Sequence, residues 1–524
     1  MPDFKEKTPS SSVEDKPRAS LTSYRAPEDA SDTDNVVLHH QLGYEPEHNL
    51  RRNRSLFTLL FQSLAIAAIP YGQGSTILSA VYGGGQLSIF VGWIVVCILN
   101  ECVAISLAEL ASRWPTSAGP HYWSFQLAKE HRALAAYATG WIWLIGNLTI
   151  TLSVNFGFAS LISACITLND ADFTAEAWQL LLIFYAVCLF SLVLCVFANK
   201  ILPYVDTASA AFTAVTIVVT LIALSVKAGV GRSSISQALG NYDKSLAGWG
   251  GFTFFIGLLP AAYTFSGIGM ITSMAEECRD AAVKLPQAIA LCIPVGGIAG
   301  LFFVMPICFT MPSPADIVAN AGSQALPYIY ATVMDSPGGG LALTFLVLVI
   351  TLFCSLSITV AASRCLWAFA RDAGTPMGSM LSRIHPHFGV PIESLVVLTV
   401  VQMLLGLINL GSTSAFTAFV SVGVVALSLS YGVPIVLSMA NGRAQVSKAR
   451  FRCPGTILGW VNNVVSLAWI LFELVLFCMP TSLPTTSVAM NYASVVLVGL
   501  CGLAGIWYAV HARKVYRGPP EENL

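Results

Sequence analysis

Two short polar segments interrupt long apolar stretches of the sequence, and each could expose backbone groups for binding. The first is PYGQGST (residues 70–76) and the second is TFSGIG (residues 264–269). Proline lacks the amide hydrogen that a helix needs, and glycine tolerates non-helical backbone. We therefore expect both segments to unwind within a membrane helix. Freed amides could then hold a carboxylate, and freed carbonyls could hold an ammonium group or a cation.

The candidate ligand-binding residues follow from these two segments. The rings of Tyr71 and Phe265 could line the site, because aromatic faces attract ammonium groups. Close helix packing is the alternative explanation for the glycines. Two interrupted segments in matching places of a chain nevertheless point to a transporter with inverted repeats. The predicted substrate-binding residues are Tyr71, Gly72, Gln73, Gly74, Ser75, Phe265, Ser266, Gly267, Ile268 and Gly269.

Acidic residues inside apolar stretches are further candidates, because a charge in a membrane span is costly and usually functional. Glu101 could take part in proton coupling or could form a structural hydrogen bond to a neighbouring helix. Glu109 could form a gate or a packing contact with Arg113. Asp206 is interpreted as a helix-capping residue near Lys200, where a charge can interact with the helix dipole.

A charged cluster after the second polar segment could close an inner gate. There, Glu276 or Glu277 could pair with an arginine such as Arg113 or Arg371, although a solvated charged surface is equally compatible with the pattern. Arg364 and Arg371 are seven residues apart and hence lie on one face of a helix. That face could anchor the gate.

The composition indicates what kind of protein positions these residues. Of the 524 residues, 55% are hydrophobic and 10% are charged, whereas soluble domains carry roughly 25% charged residues. Apolar runs of about twenty residues or more recur from Leu56 onward, and each can cross roughly 30 Å of hydrocarbon as a helix. The runs lack the alternation of barrel strands. The sequence therefore predicts an all-α membrane protein with twelve transmembrane helices.

The predicted helices are separated by loops whose charges indicate a topology. If both ends are cytoplasmic, all but three of the 27 Lys and Arg residues lie on the cytoplasmic side, as the positive-inside rule requires. The exceptions, Lys227, Arg232 and Lys244, share one loop. The predicted spans are residues 56–82, 86–111, 134–168, 177–198, 203–227, 251–273, 286–311, 341–370, 392–410, 415–439, 457–479 and 489–511.

The chain ends differ from this membrane domain, which we place at residues 51–511. Residues 1–50 are rich in Ser, Asp, Glu, Lys and Pro, a composition typical of disorder. They show no cleavable signal peptide. We expect a disordered cytoplasmic tail, either a target for modification or inert, and a short cytoplasmic tail at residues 512–524.

Four stretches carry a resemblance to a known family. They are LAELASRWPTSAGP (107–120), MAEECRDAAVKLPQAI (274–289), ASRCLWAFARDAGTP (362–376) and MPTSLPTTSVAMNYASVV (479–496). In this order, they resemble signatures of the fungal amino acid/choline transporters within the amino acid–polyamine–organocation superfamily. That family includes permeases for GABA and choline.

The resemblance implies two inverted five-helix repeats plus two extra helices, with alternating access around a central site. It also implies proton-coupled secondary transport of a small solute that bears an amino or quaternary ammonium group. One departure concerns the substrate. The family commonly has an acidic residue and a histidine shortly before the MAEE segment, where this chain has Gly269 and Ser273. An obvious partner for a cation is therefore missing.

Other functions are disfavoured by the sequence. An intramembrane enzyme needs clustered catalytic groups at depth, a channel shows a filter repeat or charged rings, and an ATP-driven pump has a phosphate-binding loop. The 13 cysteines are scattered singly, so no metal site is expected, nor a cofactor or nucleic acid. A nutrient sensor of the same fold and an exporter of a specialised metabolite stay open. A plasma-membrane location is favoured over a vacuolar or other internal one.

Overall fold

The computed structural model of the chain describes residues 37–44, 52–170, 173–322, 324–411, 415–486 and 490–522. Within these ranges, twelve helices are long and apolar enough to cross a membrane. This confirms the prediction of an all-α protein with twelve spans. Numbered 1 to 12 in chain order, the spans are Leu56–Ser75, Gln86–Arg113, Arg132–Asn169, Ala177–Phe197, Asn199–Lys227, Gly250–Glu277, Ala281–Thr310, Pro337–Arg371, Ile392–Leu410, Ala418–Ala440, Thr456–Leu476 and Ala493–Val515.

Predicted and observed boundaries differ by only a few residues at most ends. Spans 3 and 8 have 38 and 35 residues, which at about 1.5 Å per residue gives roughly 55 Å, so both extend beyond the hydrocarbon layer. Span 1 consists of helices Leu56–Ala67 and Ile69–Ser75. Shorter helices connect or flank the spans, namely Val37–Gln41, Ile77–Tyr82, Pro120–Leu127, Ile235–Gly240, Pro314–Asn320, Ala325–Met334 and Gly378–Leu381.

Burial separates the core spans from the peripheral ones. The apolar window of span 6 is 89% buried inside the protein, and those of spans 1, 3 and 10 are 72–78% buried, whereas that of span 12 is 11% buried. Span 3 packs along spans 8 and 10, and span 2 packs along span 7. The two spans that carry the polar segments, 1 and 6, therefore lie in the centre and are shielded from lipid by the others.

The segments at the two ends of the described chain lie on one face, which we call the terminal face. Residues 37–44 belong to the segment predicted to be disordered, but Leu38 and Leu42 are buried. The Tyr122 hydroxyl donates to the Leu42 carbonyl at 3.1 Å, and Gly43 packs against Pro520. The disorder prediction is thus wrong for residues 37–44, because these apolar side chains find a surface to cover. The rest of the segment predicted to be disordered, residues 1–36 and 45–50, lies outside the described residues.

Span 1 is interrupted at Ala68, where one helix ends and helix Ile69–Ser75 begins. Ala68 has a φ of +42°, a left-handed conformation that costs a residue with a Cβ roughly 1–2 kcal/mol. Its carbonyl accepts the amides of Tyr71 and Gly72, both at 2.8 Å. The prediction that the glycine segment itself unwinds is therefore wrong. The break precedes Pro70 because proline fits the first turn of a helix, where its missing amide has no partner to lose.

Span 6 is interrupted where the sequence predicts. Helix Leu259–Phe265 is followed by a 3-10 helix that runs from Ser266 to Glu277. Runs of 3-10 helix beyond about four residues are uncommon, since their hydrogen-bond geometry is poorer. Tyr431 of span 10 stabilises the change, because its hydroxyl donates to the Ser266 carbonyl at 2.9 Å and accepts the Gly269 amide at 3.2 Å.

Candidate functional site

The two interruptions border one closed cavity between spans 1, 3, 6 and 8. It has room for about one water molecule, and all its lining residues are buried. Within the described ranges, the lining contains no Asp, Glu, Lys or Arg side chain. The cavity is lined by Ile66, Ala67, Tyr71, Gly72, Ile150, Val154, Tyr263, Thr264, Ser266, Gly267, Cys354 and Ile358.

Spans 1 and 6 are in close contact at Gly72. A Cβ atom added there would lie 2.6 Å from the Thr264 Oγ1 atom and 3.1 Å from its Cα atom. Real Cβ atoms essentially never come within 3.0 Å of a neighbour. The backbones of the two interrupted spans therefore touch at the cavity wall, and only glycine permits the contact.

Two tyrosines connect the cavity to span 3. The Tyr71 hydroxyl donates to the Val154 carbonyl at 3.3 Å, and the Tyr263 hydroxyl lies 3.1 Å from the Ser153 Oγ atom. Tyr263 was not among the predicted residues, although it directly precedes the second polar segment. The cavity thus offers hydroxyl groups, aromatic rings and backbone atoms, which can bind an ammonium group without a formal counter-charge.

The structure brings together only part of the predicted substrate site. Tyr71, Gly72, Ser266 and Gly267 line the cavity, whereas six other predicted residues lie away from it. Phe265 packs on Trp93, with ring centroids 5.2 Å apart, and Gly74 faces Leu326. Those six are buried and do not line the cavity: Gln73, Gly74, Ser75, Phe265, Ile268 and Gly269. Helical periodicity explains why only some of the predicted residues line the cavity, since successive residues of a helix point in different directions.

At the terminal face, the end of span 6 pairs with the end of span 8. The Arg371 guanidinium donates to both carboxylate oxygens of Glu276, at 2.9 and 3.0 Å. Arg364 donates to Glu277 at 3.1 Å. Bidentate arginine–carboxylate pairs are among the stronger polar contacts in proteins. The suggested pairing of Glu276 with Arg371 is thus present in the structure, whereas Arg113 contacts neither Glu276 nor Glu277 in the described part of the chain, and the gating role stays a prediction.

Arg54, which the sequence did not single out, joins this cluster to spans 1 and 5. It is 1% exposed and donates to Glu277 at 3.1 Å and to Asp206 at 3.4 Å. Burial alone would lower the pKa of Arg54, but these two carboxylates raise it above its ordinary value. Asp206 also accepts a hydrogen bond from Ser357 at 2.7 Å. Its interpretation as a capping residue is therefore incomplete, because its partners come from distant helices.

The other two acidic candidates have different surroundings. Glu109 does not contact Arg113 as expected. It pairs with Arg443 from the loop after span 10, with both oxygens at 2.9 Å, while Arg113 pairs with Glu522 near the C-terminus. Glu101 has a buried carboxylate oxygen with no hydrogen-bond partner among the residues that the structure describes. The structure thus shows no hydrogen bond from this oxygen to a neighbouring helix.

The N-terminal segment covers the Glu276–Arg371 pair. The Arg371 guanidinium lies over the Tyr44 ring, 3.9 Å from its centroid. The Tyr44 hydroxyl donates to Asp372 at 2.9 Å, and the same carboxylate lies 2.8 Å from the His121 Nε2 atom. Burial raises the pKa of Tyr44 well above its ordinary value, so this hydroxyl stays a donor at physiological pH.

A central closed cavity between interrupted spans, together with paired charges at one face, is the architecture of a membrane transporter rather than of an enzyme. The sequence model of the amino acid permease family matches residues 55–501. The chain therefore belongs to the amino acid permease family, which confirms both the family resemblance and the assignment to transport.

Named relatives cover most of the chain. A choline transporter of Saccharomyces cerevisiae is 25% identical over 505 residues, which is 95% of this chain and 88% of that protein. The amino-acid permease BAT1 of Arabidopsis thaliana is 27% identical over 498 residues, 91% of this chain and 95% of its own. The polyamine transporter TPO5 of S. cerevisiae is 28% identical over 447 residues, 83% of this chain and 71% of its own.

The contact at Gly72 predicts a specific loss of stability. Gly72→Ala should lower the melting temperature of the detergent-solubilised protein, because overpacking a buried contact costs about 1–3 kcal/mol. The matched control is Gly502→Ala in span 12, where an added Cβ has no neighbour within 4 Å. Combining Gly72→Ala with Thr264→Ala should restore part of the loss. Equal melting temperatures for the Gly72→Ala and Gly502→Ala proteins would contradict the close contact.

Proposed function

We propose that this protein is a secondary active transporter that moves an amino acid, an amine or a related nitrogenous small molecule across the membrane. The observation that carries the proposal is the closed, uncharged cavity where interrupted spans 1 and 6 meet. The relatives named for choline, amino acid and polyamine transport support the same solute class. The inverted repeats implied by the family resemblance would give both sides of the membrane alternating access to this cavity.

The chemistry of the cavity narrows the substrate class. A polyamine carries several positive charges, and desolvating each without a carboxylate would be costly. The described lining instead combines the Tyr71 and Tyr263 rings with hydroxyls and backbone groups. A solute with one ammonium or quaternary ammonium group, including a zwitterionic amino acid, fits this lining better than a polyamine does.

The charged cluster at the terminal face acts as the inner gate in this proposal. The distribution of Lys and Arg residues supports a cytoplasmic location for both termini, and in this orientation the pairs formed by Glu276 and Glu277 lie on the cytoplasmic side of the cavity. They connect the ends of spans 1, 5, 6 and 8. Opening the cavity inward requires these pairs to separate. We place the protein in the plasma membrane.

Glu101 is the proposed proton-coupling residue. Its buried oxygen has no hydrogen-bond partner within the described part of the chain, so gaining or losing a proton there breaks no existing contact. Span 2, which carries Glu101, packs against the break of span 6 through Trp93 and Phe265. A change of charge at Glu101 can therefore alter how Trp93 of span 2 packs on Phe265, which lies next to the break of span 6.

Ligand binding tests the substrate class. Choline, GABA, the standard amino acids and spermidine should be screened for an increase in the melting temperature of the purified protein, since a ligand of the folded state stabilises it. We expect a singly charged or zwitterionic compound to stabilise the protein, and to enter proteoliposomes under an imposed proton gradient. Binding without transport in either direction would indicate a sensor, and transport out of the cell an exporter. Stabilisation by spermidine alone would contradict the proposed class.

The gate can be tested with the native thiol of Cys354, which lines the closed cavity. Glu276→Gln removes the ionic pairing of Arg371, and breaking a buried pair costs about 3–5 kcal/mol. The maleimide modification rate of Cys354, followed by peptide mass spectrometry, should rise by about tenfold or more. The control is Arg450→Gln, which removes an ion pair whose side chains are 62% and 43% exposed. An unchanged rate in Glu276→Gln, or an equal rise in both, would exclude this gate.

Coupling is tested by Glu101→Gln, which keeps the shape of the side chain but cannot release a proton. We expect uptake driven by a proton gradient to fall by about tenfold or more, an effect typical of removing a proton-transfer group. Exchange of labelled for unlabelled substrate at equal pH should persist, because it needs no net proton movement. Gradient-driven uptake at the normal rate would show that Glu101 does not couple transport to protons.

A further inference from the structure

We propose that an anionic glycerophospholipid binds in an apolar groove between spans 3, 8, 9 and 12 at the terminal face. One acyl chain would occupy the groove and the phosphate would meet basic side chains at its rim. The proposal rests on the cytoplasmic orientation of the terminal face given above, because anionic lipids are concentrated in the cytoplasmic leaflet.

The groove is large and almost entirely apolar. Its volume is about 400 Å³, and its walls carry Leu144 of span 3, Leu366 of span 8, Val401 of span 9 and Leu503 of span 12. Trp507 borders it near the end of span 12. Because aliphatic side chains cover all four walls, the groove suits a hydrocarbon chain and no polar ligand.

A hydroxyl group borders this otherwise apolar surface. Thr375, in the loop between spans 8 and 9, lines the groove and is 7% exposed. Its Oγ1 atom has no hydrogen-bond partner within the described ranges, although a buried polar group without a partner is costly. The loop directly follows the end of span 8, where lipid ester groups are expected. A rotation of the Thr375 side chain toward the groove would let its hydroxyl donate to an ester carbonyl.

The rim of the groove carries mainly positive charge. The Trp507 ring contacts His511 at 4.7 Å, and Arg513 and Lys514 follow on the same helical stretch as exposed residues. Arg383 is exposed two residues after Leu381, which lines the groove. Glu393, one turn before the groove-lining Val397, is an acidic residue near the same rim. Three arginine and lysine side chains against one carboxylate favour an anionic headgroup over a neutral one.

The groove adjoins the walls of the central cavity. Leu366 lines the groove and Ile358 lines the cavity, two turns apart on span 8. Span 3 likewise presents Ile145 to the groove and Ile150 to the cavity. A bound acyl chain would therefore pack against two of the spans that form the cavity wall.

Lipid binding can be measured directly by native mass spectrometry of the purified full-length protein. The probes are phosphatidylglycerol and phosphatidylcholine with identical acyl chains. Val401→Trp should fill the groove and lower the bound fraction of both lipids by about fivefold or more, as expected when a buried chain is displaced. The matched control is Val400→Trp, one position away on span 9, where the side chain is 47% exposed and does not line the groove.

The headgroup preference is tested separately. The unmodified protein should retain phosphatidylglycerol in preference to phosphatidylcholine, and Lys514→Glu should reduce that preference on the order of fivefold, the contribution of one basic side chain near an anionic surface. Lys448→Glu, an exposed residue on the terminal face outside the groove, should leave it unchanged.

Three results would overturn the proposal. The first is equal loss of lipid in the Val400→Trp and Val401→Trp proteins, and the second is equal retention of the two lipids by the unmodified protein. The third is displacement of phosphatidylglycerol from the groove by a sterol. The binding is measured in detergent without transport, so these results are independent of the substrate and of the gate.

Discussion

In a lipid bilayer, every backbone amide and carbonyl must find its partner within the protein, since no water is present to replace one. Two spans of this protein break that pattern, and the surrounding architecture compensates. At the first break, the Ala68 carbonyl accepts two amides of the following helix. At the second, Tyr431 bonds both Ser266 and Gly269. Such breaks can exist only where other helices surround them, which is why spans 1 and 6 occupy the centre and spans 3, 8 and 10 enclose them.

Charged side chains that are buried away from water must likewise find partners within the protein. The charged cluster that joins the ends of spans 6 and 8 is largely shielded from solvent, and each of its side chains has an oppositely charged partner within 3.4 Å, which offsets the cost of burying it. Glu277 contacts both Arg54 and Arg364, so one carboxylate joins spans 6 and 8 to the segment that precedes span 1. The cavity, in contrast, has no charged residue in its described lining. The charges proposed to form the inner gate are thus separated from the neutral surface proposed to receive the substrate.

The family assignment and the structure agree on transport, and they constrain the substrate differently. The relatives are named for choline, amino acids and polyamines, solutes whose charges range from zwitterionic to strongly positive. A cavity whose described lining offers rings, hydroxyls and backbone groups can hold one ammonium group through the aromatic faces of Tyr71 and Tyr263. The glycine at position 269, where related permeases commonly have an acid, packs against Tyr431, so tyrosine occupies the space next to this position.

The sequence by itself determined the class of fold, the number of spans, the second interruption and the family, because apolar run length and loop composition act locally along the chain. Helical spacing placed Arg364 and Arg371 on one face, and the sequence offered Arg371 and Arg113 as alternative partners for Glu276 or Glu277. Only the tertiary structure decided that the first break lies at Ala68, that Glu109 pairs with Arg443, and that Arg54 and Asp206 join the charged cluster. The contacts of Glu109, Arg54 and Asp206 connect residues more than 150 positions apart, and such distances are closed by helix packing, which no local pattern encodes.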